Sequence, residues 1–168
     1  MRLYEPFQFL TAEECDNIIA YGSPRKKRYG TLIGEGNTDL RNNRVVWYKD
    51  TSKWQEWINV FNTIENKIDW IMDPQISYYT PGEHYGWHTD KSESMGSHKR
   101  YFTLTCNLQT APGSGFEIEG IDLKNMEKGE AVIFPSTDNH RAITPTSGER
   151  ISLTIWAMTK NANNVDIS

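Results

Sequence analysis

Pro74-Gln-Ile-Ser-Tyr-Tyr79-Thr-Pro-Gly-Glu-His-Tyr85-Gly-Trp-His88-Thr-Asp90 is where this chain changes character. Upstream, apolar residues recur at three- and four-residue steps. From Pro74, which ends a helix because it lacks the N–H that the next turn needs, the chain breaks into short strand-like runs. Residues 75–79 form the first and 86–89 the second. The stretch closes on His88-Thr-Asp90, an imidazole and a carboxylate two positions apart. In an extended strand such a pair projects from one face.

Downstream, residues 100–108, 115–119, 130–134, 141–143 and 151–158 read as further strands, with turn formers such as Ala111-Pro-Gly-Ser-Gly115 and Thr146-Ser-Gly148 between them. Upstream, residues 7–10 read as a short strand entering a helix. Thr11 stands at the N-cap with Glu14 three residues on, Ile18, Ile19 and Tyr21 ride the following turns, and Gly22 ends it. The basic run Pro24-Arg-Lys-Lys-Arg28 reads as a solvated loop, with a phosphate or acidic-substrate contact as the alternative. Residues 34–38 read as mobile and 41–48 return to strand character. Between Lys53 and Met72, Trp54, Trp57, Ile58, Phe61, Ile64, Ile68 and Ile71 make one apolar stripe, which predicts a long helix against the outside of a sheet. A helical start followed by many short strands predicts a mostly β fold, a sandwich or jelly roll with the N-terminal helices packed on one sheet. With no repeat or linker, residues 1–168 read as one domain, helical over about 1–73 with a jelly-roll core over about 74–160.

Composition narrows the classes. Six Trp, eight Tyr and six Phe suit a β-rich core or a lined cleft. A net charge of −4 lacks a basic footprint and disfavours nucleic acid as partner. No apolar run reaches membrane-span length and Met1-Arg-Leu-Tyr-Glu-Pro6 is not a signal peptide, so a soluble cytoplasmic protein is expected. Cys15 and Cys106 read as two free buried thiols in a reducing compartment.

A third metal-binding side chain, His140, follows Asp90 by fifty residues, just past an apolar strand and the turn at Pro135. Two His and one carboxylate on one face of an ion, with the other face open, is the donor set of non-haem Fe(II) oxygenases. Arg150 opens the last strand, ten residues later. If the strands of His140 and Arg150 are antiparallel neighbours, both face one interior. A buried arginine needs a carboxylate partner, and a dicarboxylate cosubstrate would supply one to its planar fork. His84 and His98 sit in polar, turn-rich stretches and read as surface residues. Residues 91–99 read equally as a plain connection or as a lid. Ser136 and Ser152 have no suitably spaced base, and Gly113–Gly115 lacks the strand-to-helix setting of a phosphate loop.

Tyr79 with His88-Thr-Asp90, Arg100-Tyr-Phe-Thr-Leu-Thr105, Gly113-Ser-Gly-Phe-Glu117, Lys128-Gly-Glu-Ala-Val-Ile-Phe-Pro-Ser136, His140-Arg141 and Ser147-Gly-Glu-Arg150, through to Trp156, together resemble the Fe(II)- and 2-oxoglutarate-dependent dioxygenases of the prolyl 4-hydroxylase-like branch. The likeness is close over residues 75–158, and the opening helix is also similar. It implies a double-stranded β-helix with Fe(II) held by His88, Asp90 and His140. It also implies 2-oxoglutarate held by Arg150 and Tyr79, O2 as oxidant and ascorbate as a reductant. Tyr85, Arg100 and Trp156 match positions that face a peptide substrate in similar prolyl hydroxylases. Asn107 stands where some relatives carry a second cosubstrate tyrosine, and Glu117 replaces a small hydroxyl residue near the cosubstrate.

The function expected from the resemblance is a hydroxylase that couples oxidative decarboxylation of 2-oxoglutarate to C–H hydroxylation of a prolyl residue in a peptide or protein. Two other readings stand beside it. One is the same chemistry on a small-molecule or nucleic-acid substrate, for which only the basic run at 25–28 speaks. The other is a cupin-like metal-binding sensor without oxygenase activity, against which Arg150 speaks.

Overall fold

The computed structural model describes residues 1–29, 39–91 and 98–160; the 34–38 stretch and most of the 91–99 connection lie outside them. In chain order the elements are β1 (Phe7–Gln8), α1 (Ala12–Gly22), a 3-10 turn (Ser23–Arg25), β2 (Lys27–Arg28), β3 (Arg44–Trp47), α2 (Trp54–Asn62) and β4 (Trp70–Ile71). They continue with β5 (Gln75–Tyr79), β6 (Tyr85–His88), β7 (His98–Gln109), β8 (Gly115–Ile118), β9 (Ile121–Asp122), β10 (Glu130–Pro135), β11 (His140–Ile143) and β12 (Arg150–Lys160). The larger sheet runs β1-β10-β7-β12-β5-β3-β2, with β4 also on β12, and the smaller runs β6-β11-β8-β9. Among the described residues, no helix is long and apolar enough to cross a membrane.

β12 is the spine of the large sheet. Arg150 lies opposite Tyr79, Ser152 opposite Ser77 and Asn107, Thr154 opposite Gln75 and Thr105, and Trp156 opposite Thr103. Successive side chains of a strand alternate between faces. These mostly polar residues therefore share one face, while Ile151, Leu153, Ile155, Ile76, Leu104 and Cys106 share the other. That apolar face packs with Cys15 and Ile18 of α1 and Trp57 and Phe61 of α2 into the main core. The sheet thus turns its greasy side to the helices and its polar side to the small sheet. A second core around Phe116, Ile118, Val132 and Phe134 joins the two sheets.

The predicted capping box at α1 is present, with Glu14 N donating to Thr11 Oγ1 and Thr11 N donating to Glu14 Oε2. The helix predicted over 53–72 is shorter: α2 stops at Asn62. The Asn62 side chain donates to Ile68 O and accepts from Ile68 N, closing a polar loop around Glu65-Asn-Lys67. Ile64 and Ile71 still reach the core, but from a turn and from β4, which is why their spacing mimicked a helix stripe. Lys27 and Arg28, read as loop, form the edge strand β2.

Candidate active site

Three ligand-type side chains meet in the gap between the sheets. His88 ends β6 and His140 begins β11, and the two are directly opposite in the ladder. Asp90 lies two residues past His88, its N–H donating to Ser136 O. Asp90 Oδ1 is 3.4 Å from His88 Nε2 and Oδ2 is 3.3 Å from His140 Nε2. The three groups offer donor atoms all within 4.8 Å of one another.

The backbone fixes the tautomers. His88 Nδ1 donates to Gly86 O at 2.7 Å and His140 Nδ1 donates to Asp138 O at 2.9 Å. A carbonyl oxygen can only accept, so each ring keeps its Nε2 lone pair for an ion, as in metal sites whose ligands are oriented from behind. The turn carrying the Asp138 carbonyl is held by Tyr4, whose hydroxyl donates to Asp138 Oδ2. Thr103 Oγ1 donates to Asp90 Oδ2 at 2.9 Å and also contacts the Ser136 hydroxyl.

The electrostatics run the same way. Burial raises the Asp90 carboxyl, but in the metal-free protein the imidazoles of His140 and His88, when protonated at Nε2 as well, outweigh it through hydrogen bonds and charge and hold Asp90 well below the ordinary carboxylate range. Burial pushes His88 down, with Asp90 opposing, so its neutral, ligating form is favoured. Two ligand atoms at right angles about an ion roughly 2.1 Å from each stand about 3 Å apart. Asp90 approaches the two imidazole nitrogens to 3.4 and 3.3 Å through different oxygens, spacings close to those of ligands on one divalent cation.

Arg150 sits on the opposite wall, on β12. The expectation that it neighbours His140 in one sheet is incorrect, because β11 pairs with β6 and β8 while β12 pairs with β5 and β7. The two face each other across the sandwich and line the same pocket. Arg150 is 2 % exposed, and burial lowers its guanidinium below the ordinary range. Its Nε and Nη2 both donate to Asn107 Oδ1, at 3.2 and 2.8 Å. Asn107 Nδ2 in turn donates to Met126 O, which sets the amide the right way round. No carboxylate among the described residues lies within ion-pair distance of Arg150. Tyr79 lies beneath it, with Arg150 Cζ 5.6 Å from the ring centroid.

Tyr85 stacks on His88 with ring centroids 3.4 Å apart, and burial raises its hydroxyl far above the ordinary phenol range. Trp156 lines the pocket, and its buried indole N–H finds no acceptor among the described residues. Arg100 is not in the pocket wall: its guanidinium covers the Trp156 ring at 4.1 Å and its Nη1 reaches Asp90 O. Glu117, expected near the cosubstrate, points elsewhere and pairs with Arg141 and Lys124. His84 bonds to Asp39 O, away from the pocket. Sequence reading passed over Arg41, which lines the pocket, and Asn107 as a partner of Arg150. A charged residue entering a strand of buried neighbours was the available signal for Arg41.

A family model described as the 2OG-Fe(II) oxygenase superfamily matches residues 74–158, half of the chain. The chain belongs to the 2OG-Fe(II) oxygenase superfamily. Over 97 residues, 51 % of this chain, it is 30 % identical to a PKHD-type hydroxylase of Psychrobacter sp. (strain PRwf-1). The chain spans well under half of that relative, the match covering 38 % of it. Among solved structures, it is similar to the viral collagen prolyl hydroxylase vCPH of Paramecium Bursaria Chlorella virus-1, in a 2OG complex. The TM-score is 0.67 at 23 % identity, over 94 % of this chain and 97 % of that one. A Pseudomonas putida prolyl-4-hydroxylase superposes with a TM-score of 0.70 at 15 % identity, over 94 % and 92 %. These likenesses establish the shared jelly-roll fold of this 2OG-Fe(II) oxygenase.

Proposed function

We propose that this chain is an Fe(II)- and 2-oxoglutarate-dependent hydroxylase acting on a prolyl residue of a peptide or protein, with residues 1–168 as one oxygenase domain. One observation carries the reading. A His-Asp-His donor set shares its pocket with a fully buried arginine that has no carboxylate partner among the described residues. A sensor that bound only metal would gain nothing from Arg150, since an unpaired buried cation is costly.

In this reading His88, Asp90 and His140 hold Fe(II), and Arg150 and Tyr79 hold 2-oxoglutarate. The bound iron supplies the activation of O2 that couples decarboxylation of 2-oxoglutarate, to succinate and CO2, to insertion of one oxygen into a C–H bond. The chain's own residues do the rest. Asn107 keeps the Arg150 fork aimed at the distal carboxylate. Thr103 orients Asp90 by donating to its Oδ2. Tyr85 and Trp156 form the substrate side, with Arg100 at its edge against the Trp156 ring, and the Trp156 N–H, without an acceptor among the described residues, is a donor for a peptide carbonyl. Ascorbate is the reductant that goes with this chemistry. The two buried free thiols fit work in a reducing, cytoplasmic setting. The relatives' names support the prolyl target.

Incubation with Fe(II), 2-oxoglutarate and proline-containing peptides should yield succinate and a peptide heavier by one oxygen atom. His88→Ala and Asp90→Ala should abolish both. Undiminished turnover in both variants overturns the metal assignment. Succinate without a mass gain on any proline peptide favours a small-molecule or nucleic-acid substrate.

A further inference from the structure

The pocket contains a second buried arginine that the reaction as proposed does not use. Arg41 is 6 % exposed. It bridges to Tyr85 across the edge of the small sheet, yet its guanidinium reaches the floor of the large one. Nε donates to Asn43 Oδ1 at 2.7 Å, and Nη2 donates to Gln75 Oε1 at 2.5 Å and weakly to Ser77 Oγ. Every one of these partners is neutral. Cζ lies 3.9 Å from the Tyr29 ring centroid and 4.2 Å from that of Tyr85. Nη1 makes no hydrogen bond among the described residues, and no described carboxylate pairs with the group.

Its position separates it from the cosubstrate end. Gln75, Ser77 and Tyr79 share the pocket face of β5. Arg41 is bound to the first two, while Arg150 lies over the third. Tyr85 touches both Arg41 and His88, which puts Arg41 one aromatic ring away from the metal ligands, on the side where the substrate ring is expected.

The charges can be matched one by one. Asp90 is the only carboxylate among the described pocket-lining residues. A divalent metal is answered by Asp90 together with one carboxylate of 2-oxoglutarate, and Arg150 by the other. Among the described residues no carboxylate pairs with Arg41. Two aromatic faces and three neutral oxygens soften the burial of a guanidinium but do not replace a counter-charge.

We propose that the substrate supplies it: the molecule hydroxylated here carries a carboxylate that docks on Arg41, beside the carbon to be oxidised. This rests on the hydroxylase reading and sharpens it, making Arg41 a substrate-binding, specificity-determining residue. The carboxylate has two possible sources, the free end of a proline derivative or an acidic side chain next to proline in a peptide. Both present the same group to the same fork.

Calorimetry on Mn(II)-loaded protein with saturating 2-oxoglutarate tests it, using matched acid and amide probes. N-acetylproline is compared with N-acetylproline amide, and the blocked peptide acetyl-Glu-Pro-amide with acetyl-Gln-Pro-amide. At least one acid should bind about tenfold more tightly than its neutral partner, a ratio typical of one charge-assisted hydrogen bond. Which acid does so identifies the source. Arg41→Gln should erase the preference, Arg41→Lys should keep part of it, and the affinity of Arg41→Gln for 2-oxoglutarate should stay within about twofold of the parent's.

No acid preference in either pair overturns the proposal, as does a preference that survives Arg41→Gln. Weakened 2-oxoglutarate binding in place of the lost preference also overturns it, reassigning Arg41 to the cosubstrate. If Arg41→Gln does not fold, Arg41→Lys and the parent's acid-amide comparison still decide. Failure of the parent to bind 2-oxoglutarate is a separate titration and overturns the hydroxylase reading instead, because the acid preference is also measured without cosubstrate.

Discussion

Thr103 is the residue on which the metal site leans most quietly. Its hydroxyl donates to Asp90 Oδ2, and the pair is wholly buried. Thr103→Val keeps the shape and removes the donor. Such a change behind a metal ligand costs about 10–100-fold in metal affinity, so titration with Mn(II) or Co(II) should show a loss of that order with the fold retained. An unaltered affinity would mean that the two imidazoles orient Asp90 unaided. Spacing in the sequence singled out His88, Asp90, His140 and Arg150, and the structure brings all four to one pocket; metal and carboxylate chemistry admits few residue types, which is why they stand out. Thr103 gave no such signal, and the pocket contacts of Asn107 and Arg41 were not legible from spacing. Their roles come from which side chain the register sets beside which, and a single threonine or asparagine in a strand is compatible with many neighbours.

At the scale of elements, the close approach of α1 to β5 is the tightest joint. A methyl group on Gly22 would overlap the Tyr78 hydroxyl and press on Ile76 Cδ1. Gly22→Ala should therefore destabilise by about 1–3 kcal/mol through overpacking, despite the better helix propensity of alanine. Thermal unfolding would record this, and an unchanged or higher midpoint would show that the helix end simply shifts. Strands were legible to within a residue or two where polar and apolar positions alternate, as in β12, or where an apolar run is bounded by turn formers, as in β10. The 53–72 segment was misread for a physical reason. Helical spacing over Trp54–Asn62 continued by accident into Ile64, Ile68 and Ile71, and only the side-chain bonds of Asn62 reveal that the chain has turned.

For the whole molecule, acid should unfold the metal-free protein early. His88 has a folded pKa depressed below its ordinary 6.5, so the unfolded chain takes up that proton more readily and stability begins to fall as pH drops below about 6.5. Asp90, held below its ordinary 3.8, adds a second loss at lower pH in the same direction. A bound divalent ion opposes both, because it needs the deprotonated ligands. At 100 times its dissociation constant it adds about 2.7 kcal/mol. Denaturation curves at neutral and mildly acid pH, with and without Mn(II), should therefore diverge most near neutrality and converge in acid. A metal effect that grew on acidification would contradict the His-Asp-His site.

The alternation along β7 also governs what an oxidising site can damage. Thr103 and Thr105 line the pocket, whereas Cys106, next in the chain, is fully buried with Cys15 on the helix side. None of the described pocket-lining residues contains sulfur. In the proposed hydroxylase the sheet is thus a partition, with polar groups toward the His-Asp-His pocket and both easily oxidised thiols behind it. A slip of β7 by one residue would exchange those faces. If the proposed reaction runs in this pocket, register keeps the thiols away from it as well as shaping the cavity.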